Sequence, residues 1–173
     1  MRNIILVLLL TTSFHYTFGQ KIVKNEIDEF TGKAIIETSW ETLNRKTKLY
    51  SYVRFRKIDN STFLFFRMGT GSGNKAYSVE NGEVLFLKFT DDEILKLTNH
   101  QYQITSVGGG AIGLIGSKGL GLELSCKIDE EILLKLKDKT IAKVRVYTSE
   151  GYAEAEVNKK HAENFKDLSK LIN

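Results

Sequence analysis

Short runs of alternating apolar and polar residues, separated by Gly, Asn or Asp at intervals of roughly eight to twelve residues, fill most of this chain, and a period of two marks strands with one buried face. Residues 22–29 and 34–41 flank Thr31-Gly32-Lys33 and read as a hairpin. In its second arm Ala34, Ile36, Thr38 and Trp40 alternate with Ile35, Glu37 and Ser39. Residues 48–58 set Leu49, Val53 and Phe55 on one face and Tyr50, Tyr52, Arg54 and Arg56 on the other. After Asp59-Asn60, residues 62–68 are apolar on both faces, Phe63 and Phe65 against Leu64, Phe66 and Met68, which predicts a central strand covered twice. Strands are also predicted at 76–79, 84–90, 93–98 and 101–107, with tight turns at Asn81-Gly82 and Asp91-Asp92. The sum is an antiparallel meander.

The pattern changes after the glycine-rich stretch 108–121. Leu122, Leu124, Cys126 and Ile128 share one face of a strand over 121–128, and Asp129 then caps a short helix over 130–138, where Ile132, Leu133 and Leu136 recur at helical spacing. A hairpin follows, 140–148 and 152–157 about Ser149-Glu150-Gly151. Asn158 caps a last helix with Ala162, Phe165, Leu168 and Ile172 in one stripe, and the small face Ala153, Ala155, Val157 is its expected seat. The predicted class is α+β: about nine or ten mainly antiparallel strands, arranged as a barrel or a sandwich, with a short helix and a C-terminal helix packed on them.

The first nineteen residues do not fit that alternation. Arg2, the apolar run Ile4–Leu10 and the small residues Thr17 and Gly19 before Gln20 have the layout of a cleavable export signal, and the run is too short to span a bilayer. The expected organisation is a signal peptide over 1–19 and a single α+β domain over 20–173, in the periplasm or secreted. Removing nineteen residues from 173 leaves 154, enough for one core. No later apolar run has the length of a membrane helix, and Gln20 stands where a lipid-modified protein needs cysteine. Stable membrane insertion is therefore not expected.

Cleavage would remove only Arg2 among the charges, leaving 24 basic against 21 acidic residues. So mild a balance, without a concentrated basic stripe, excludes nucleic acid as the expected partner. The only cysteine, Cys126, cannot form an internal disulfide, so stability must come from packing. Proline is absent altogether, which throws the turns onto Gly, Asn and Asp.

Two glycine-rich segments imitate phosphate-binding motifs. Gly108–Gly113 matches G-x-G-x-x-G, but Gly116, Gly119 and Gly121 oppose the helix such a site requires. Gly69–Lys75 lacks the glycine before the lysine and the hydroxyl residue after it. No cofactor is expected. Cys126 sits in an inward alternation, which argues against a nucleophile, and His100 and His161 have no partner at ligand spacing, which argues against a metal site. Asp91-Asp92-Glu93 and Asp129-Glu130-Glu131 are explained by a turn and a helix start. No catalytic residue is assigned.

The surface that stands out is the strand face of Tyr50, Tyr52, Arg54 and Arg56, where aromatic rings beside guanidinium groups suit a glycan, another anionic ligand or a protein partner. A second face of the same kind sits on the late hairpin, with Lys143, Arg145 and Tyr147 opposite Tyr152, Glu154 and Glu156. The bland reading of both is a solvated sheet face with cross-strand ion pairs.

The segments KNEIDEFTGKAIIETSWE and VRVYTSEGYAEAEV resemble small uncharacterised exported proteins of Gram-negative bacteria. The resemblance is one of general plan. It implies export and a single α+β domain, and it transfers no activity and no functional residue. The expected function is a non-enzymatic binding or interaction module. The alternatives are a carrier with strands cupped around Phe63, Phe65, Phe66, Phe86 and Phe89, and a hydrolase with dispersed carboxylates.

Overall fold

Thirteen strands and two helices follow one another in a computed structural model that describes residues 20–46, 49–69, 76–107 and 120–172. Residues 1–19, where the export signal is expected, residues 70–75 and the glycine-rich residues 108–119 lie outside the described residues, as do the side chains of Lys46 and Leu49. The strands are β1 Ile22–Ile27, β2 Ala34–Thr38, β3 Glu41–Lys46, β4 Leu49–Ile58, β5 Ser61–Gly69, β6 Ser78–Val79, β7 Val84–Phe89, β8 Ile94–Thr98, β9 Gln103–Ile104, β10 Ser106–Val107, β11 Leu120–Ile128, β12 Ile141–Thr148 and β13 Gly151–Glu156. The helices are α1 Glu130–Asp138 and α2 Lys159–Lys170.

A seven-stranded antiparallel sheet runs β1-β2-β4-β5-β11-β10, with β3 also paired to β4, and a four-stranded sheet runs β13-β12-β7-β8. The short pair β6-β9 stands apart, and a bridge between Asn99 and Cys126 ties the end of β8 to β11. The α+β class is as expected. A plain meander is not what forms: β11 inserts beside β5, and the late strand β12 inserts beside β7. The sheets do not close into a barrel.

One core joins both sheets. Val53, Phe55, Leu64, Phe66, Leu124 and Cys126 face inward from the larger sheet, and Leu85, Leu87, Leu97, Val144 and Val146 from the smaller. Strict alternation along β5 and β8 produces this division, because successive side chains leave a strand on opposite faces. The two predicted caps hold: Asp129 accepts from the Ile132 N–H at 2.8 Å and Asn158 from the His161 N–H at 2.9 Å.

The stripe Ala162, Phe165, Leu168 and Ile172 is buried as expected, but its seat differs. α2 lies chiefly over β3 and against α1, with the Phe165 ring 5.7 Å from that of Phe55 in β4, rather than on the small face of β13. The side chains of Ala155 and Val157 enter the common core from the side. In a chain without proline, Asp59 and Asp92 take left-handed backbone at two of the predicted turns, which aspartate tolerates better than most residues.

Candidate functional site

Two sheet faces carry rings and fixed charge. On the larger sheet, register brings together residues far apart in sequence: Glu37 lies opposite Arg56, Arg54 opposite Phe65, and Arg67 opposite Glu123. The carboxylates and guanidiniums then alternate along a chain Arg56, Glu37, Arg54, Glu123, Arg67. Glu37 accepts from Arg54 and from Arg56 Nε at 2.5 Å, while Glu123 accepts from Arg67 Nε at 3.0 Å and lies 3.9 Å from Arg54. Side-chain exposure is only 15% for Arg54 and 10% for Glu37.

Trp40 covers this network. The guanidinium carbons of Arg54 and Arg67 lie 4.5 and 4.4 Å from the centre of its rings, and Phe65 lies beneath Arg54 at 5.0 Å and Arg56 at 5.1 Å. Burial dominates the titration of Arg54, pulling its pKa below the ordinary guanidinium value against the attraction of Glu37. The position of Trp40 comes from a β-bulge. Glu37 pairs with Arg56 and Glu41 with Val53, so the strand running through β2 and β3 carries one residue more than β4 between those pairs. Thr38 points inward and its hydroxyl accepts the Phe55 N–H at 2.9 Å, filling the interrupted ladder. Simple alternation set Trp40 on the face of Thr38. The extra residue moves it to the face of Glu37.

The predicted quartet is thus on one face, but it is already engaged. Arg54 and Arg56 are held by Glu37, and the Tyr50 ring lies across Gly69, directly opposite it, where an added Cβ would collide with the ring. Tyr50 and Tyr52 are half-buried with rings 6.5 Å apart. Trp40, Glu37, Arg67 and Glu123 were missed because strand pairing, not local pattern, supplies them.

The outer face of the smaller sheet is arranged differently. One row across it reads Glu154, Arg145, Phe86, Lys96, and the next reads Glu156, Lys143, Lys88, Ile94. Lys88 and Lys143 therefore oppose each other directly on neighbouring strands, a pairing that costs stability unless something anionic answers it. Their side chains are each 42% exposed; Lys88 lies 2.6 Å from the turn residue Asp92, and Lys143 lies 3.7 Å from both Glu154 and Glu156. Arg145 is bound by Glu154 through Nε at 2.7 Å, and this hydrogen bond, the largest influence on each, raises the pKa of Arg145 and lowers that of Glu154. Lys96 rests over the Phe86 ring at 5.9 Å.

Aromatic groups adjoin these cations. Phe86, Tyr147 and Tyr152 form a run with ring centres 5.8 and 6.2 Å apart, and Arg145 lies 4.6 Å above the Tyr152 ring. A groove of about 350 Å³ opens here, with Phe86, Ile94 and Tyr147 among its apolar lining and Lys88, Lys143, Arg145 and the carboxylate of Glu154 as its charged one.

The other candidates fall into structural roles. The Cys126 thiol is buried, and burial pushes its pKa up to about 12. Asp91 and Glu93 hold Lys139, at the end of α1, and Asp129 caps that helix. Among the described residues no cluster of three or more His, Cys, Asp or Glu is placed to hold a metal ion. The five phenylalanines of the carrier alternative do not surround one space: Phe66 and Phe89 are in the core, and Phe63, Phe65 and Phe86 are on outward faces. No helix among the described residues is long and apolar enough to cross a membrane. Comparison with known protein families, curated proteins and solved structures finds no match for this chain.

Proposed function

We propose that this chain is an exported, non-enzymatic binding module whose ligand is anionic and partly apolar, held on the outer face of the four-stranded sheet. Export rests on the layout of residues 1–19. The observation that carries the binding reading is the direct opposition of Lys88 and Lys143 beside Phe86 and Tyr147, at a groove. Both lysines have a carboxylate within reach in the free protein, Asp92 for Lys88 and Glu154 and Glu156 for Lys143, but each stays 42% exposed, so an anion between the two strands can draw on both without a large desolvation cost. The neighbouring rings offer contact to a flat, apolar part of the same ligand. Acidic sugars combine these two properties. The Tyr50, Tyr52, Arg54 and Arg56 face is the weaker candidate, since its guanidiniums are the more buried and are held by Glu37 beneath Trp40.

The test is calorimetric titration with uronic-acid and sulfated oligosaccharides, set beside neutral oligosaccharides of equal length. The acidic compounds should bind, more weakly as salt rises, and the Lys88→Ala, Lys143→Ala double variant should lose most of that affinity while remaining folded. Equal binding of acidic and neutral sugars, or full affinity in the double variant, would overturn the assignment of this face.

A further inference from the structure

β1 is an outermost strand of the seven-stranded sheet, paired with β2 on one side and with no strand on the other among the described residues. Its apolar residues are not hidden: Val23 is exposed, Ile27 is 72% exposed, and Phe30 in the following turn is 90% exposed. An open edge with such side chains is a template for another strand.

The direction of its backbone groups follows from the ladder. The Asp28 N–H donates to the Lys33 carbonyl at 2.9 Å, while the Ala34 carbonyl is turned toward β4 and accepts the Asp59 N–H at 2.9 Å. Bonded and non-bonded pairs alternate between antiparallel strands. Lys24 and Glu26, paired with Glu37 and Ile35, therefore turn their backbone toward β2, and Asn25 and Ile27 turn theirs to the open edge.

The sequence of this edge is complementary to itself. When a second β1 is laid antiparallel with Asn25 on the two-fold axis, Lys24 falls opposite Glu26 and Val23 opposite Ile27, each twice. Lys24 and Glu26 already share one face, 3.0 Å apart. We infer that β1 is a self-recognition edge on which a second copy of this chain docks, joining two seven-stranded sheets into one across a two-fold axis at Asn25. Both requirements of an antiparallel ladder are then met at once. The Asn25 pair falls where outward backbone groups need partners, and the Lys24–Glu26 pairs fall at non-bonded positions, where facing side chains stand closest. The interface is isologous and short, because a bulge between Ile22 and Lys24 limits the regular ladder, so association should be weak and concentration-dependent. It uses no residue of the groove proposed above.

Sedimentation of the protein recovered from expression of the full chain tests this over roughly 10 μM to 1 mM, the range in which small interfaces associate. The wild type should shift from monomer to dimer. Asn25→Pro should remain monomeric with an unchanged melting temperature, because the N–H it removes faces the open edge and gives nothing to β2. Should that variant fail to fold, charge reversal carries the test alone. Lys24→Glu and Glu26→Lys should each be monomeric, and an equimolar mixture of the two should recover the dimer, since every facing pair in the heterodimer is again opposite in charge. A wild type that stays monomeric throughout, single variants that dimerise like the wild type, or a mixture that stays monomeric would each overturn the proposal.

Discussion

The outer faces of the two sheets are built from the same residue types, and they differ in what their carboxylates do. On the larger sheet Glu37 and Glu123 sit between the three arginines, so each charge has an opposite neighbour, and Trp40 screens Arg54 and Arg67 from water. On the smaller sheet Glu154 and Glu156 are confined to the outer strand β13, and the strands between carry cations facing cations or rings. The first arrangement pairs its charges and buries them. The second also sets a carboxylate beside each of its groove cations, but it leaves Lys88, Lys143 and Arg145 about two-fifths exposed. An aromatic and basic strand face is therefore a better candidate for binding when the neighbouring strands leave its cations exposed rather than burying them with their carboxylates.

Four measurements sharpen this contrast. The largest effect is expected from beneath the larger sheet, where Phe165→Ala empties the space against Phe55 and should cost about 4 kcal/mol in urea unfolding. That value is the scale for a true core position. Glu37→Gln should come next, losing about 3 kcal/mol, because Arg54 and Arg56 would keep their burial and lose their carboxylate. A loss below about 1 kcal/mol would mean that the Trp40 network is ordinary solvated surface, and the contrast between the faces would disappear.

On the smaller sheet the balance should invert. Lys88→Glu places an acid opposite Lys143 but gives up the exposed ion pair with Asp92, so stability should change by less than about 1 kcal/mol, while affinity for an acidic oligosaccharide should fall by about tenfold or more. Thermal melts and calorimetry on one preparation separate the two effects. The smallest effect concerns pH. The Arg145 hydrogen bond holds Glu154 below its ordinary carboxylate value, so its stabilisation is present above about pH 4.5 and fades as pH falls through the lowered pKa. Protonation frees Arg145 for an anion. Affinity for a sulfated oligosaccharide, whose own charge does not titrate there, should rise modestly on acidification below pH 4.5, and this rise should be absent in Glu154→Gln.

Much of the fold was legible because period-two alternation is a local property: which residues of β4, β5, β8, β11 and β12 face inward, and both helix caps, depend on near neighbours and intrinsic backbone preferences. The quartet Tyr50, Tyr52, Arg54 and Arg56 was likewise legible as one face. Its neutralisation was not, because Glu37 and Glu123 arrive through the β2–β4 and β5–β11 pairings, the second of them spanning more than fifty residues. Trp40 escaped for a different reason: one inserted residue reverses the face of everything beyond it, and nothing in the local hydrophobic pattern reveals the insertion. The sequence by itself determined most of the strands and their inward faces, though not β3 or the division of 101–107 into β9 and β10, together with the caps and the complementarity of β1 with itself. Tertiary structure alone decided which charges meet, because register and strand order are set by the packing of the whole core.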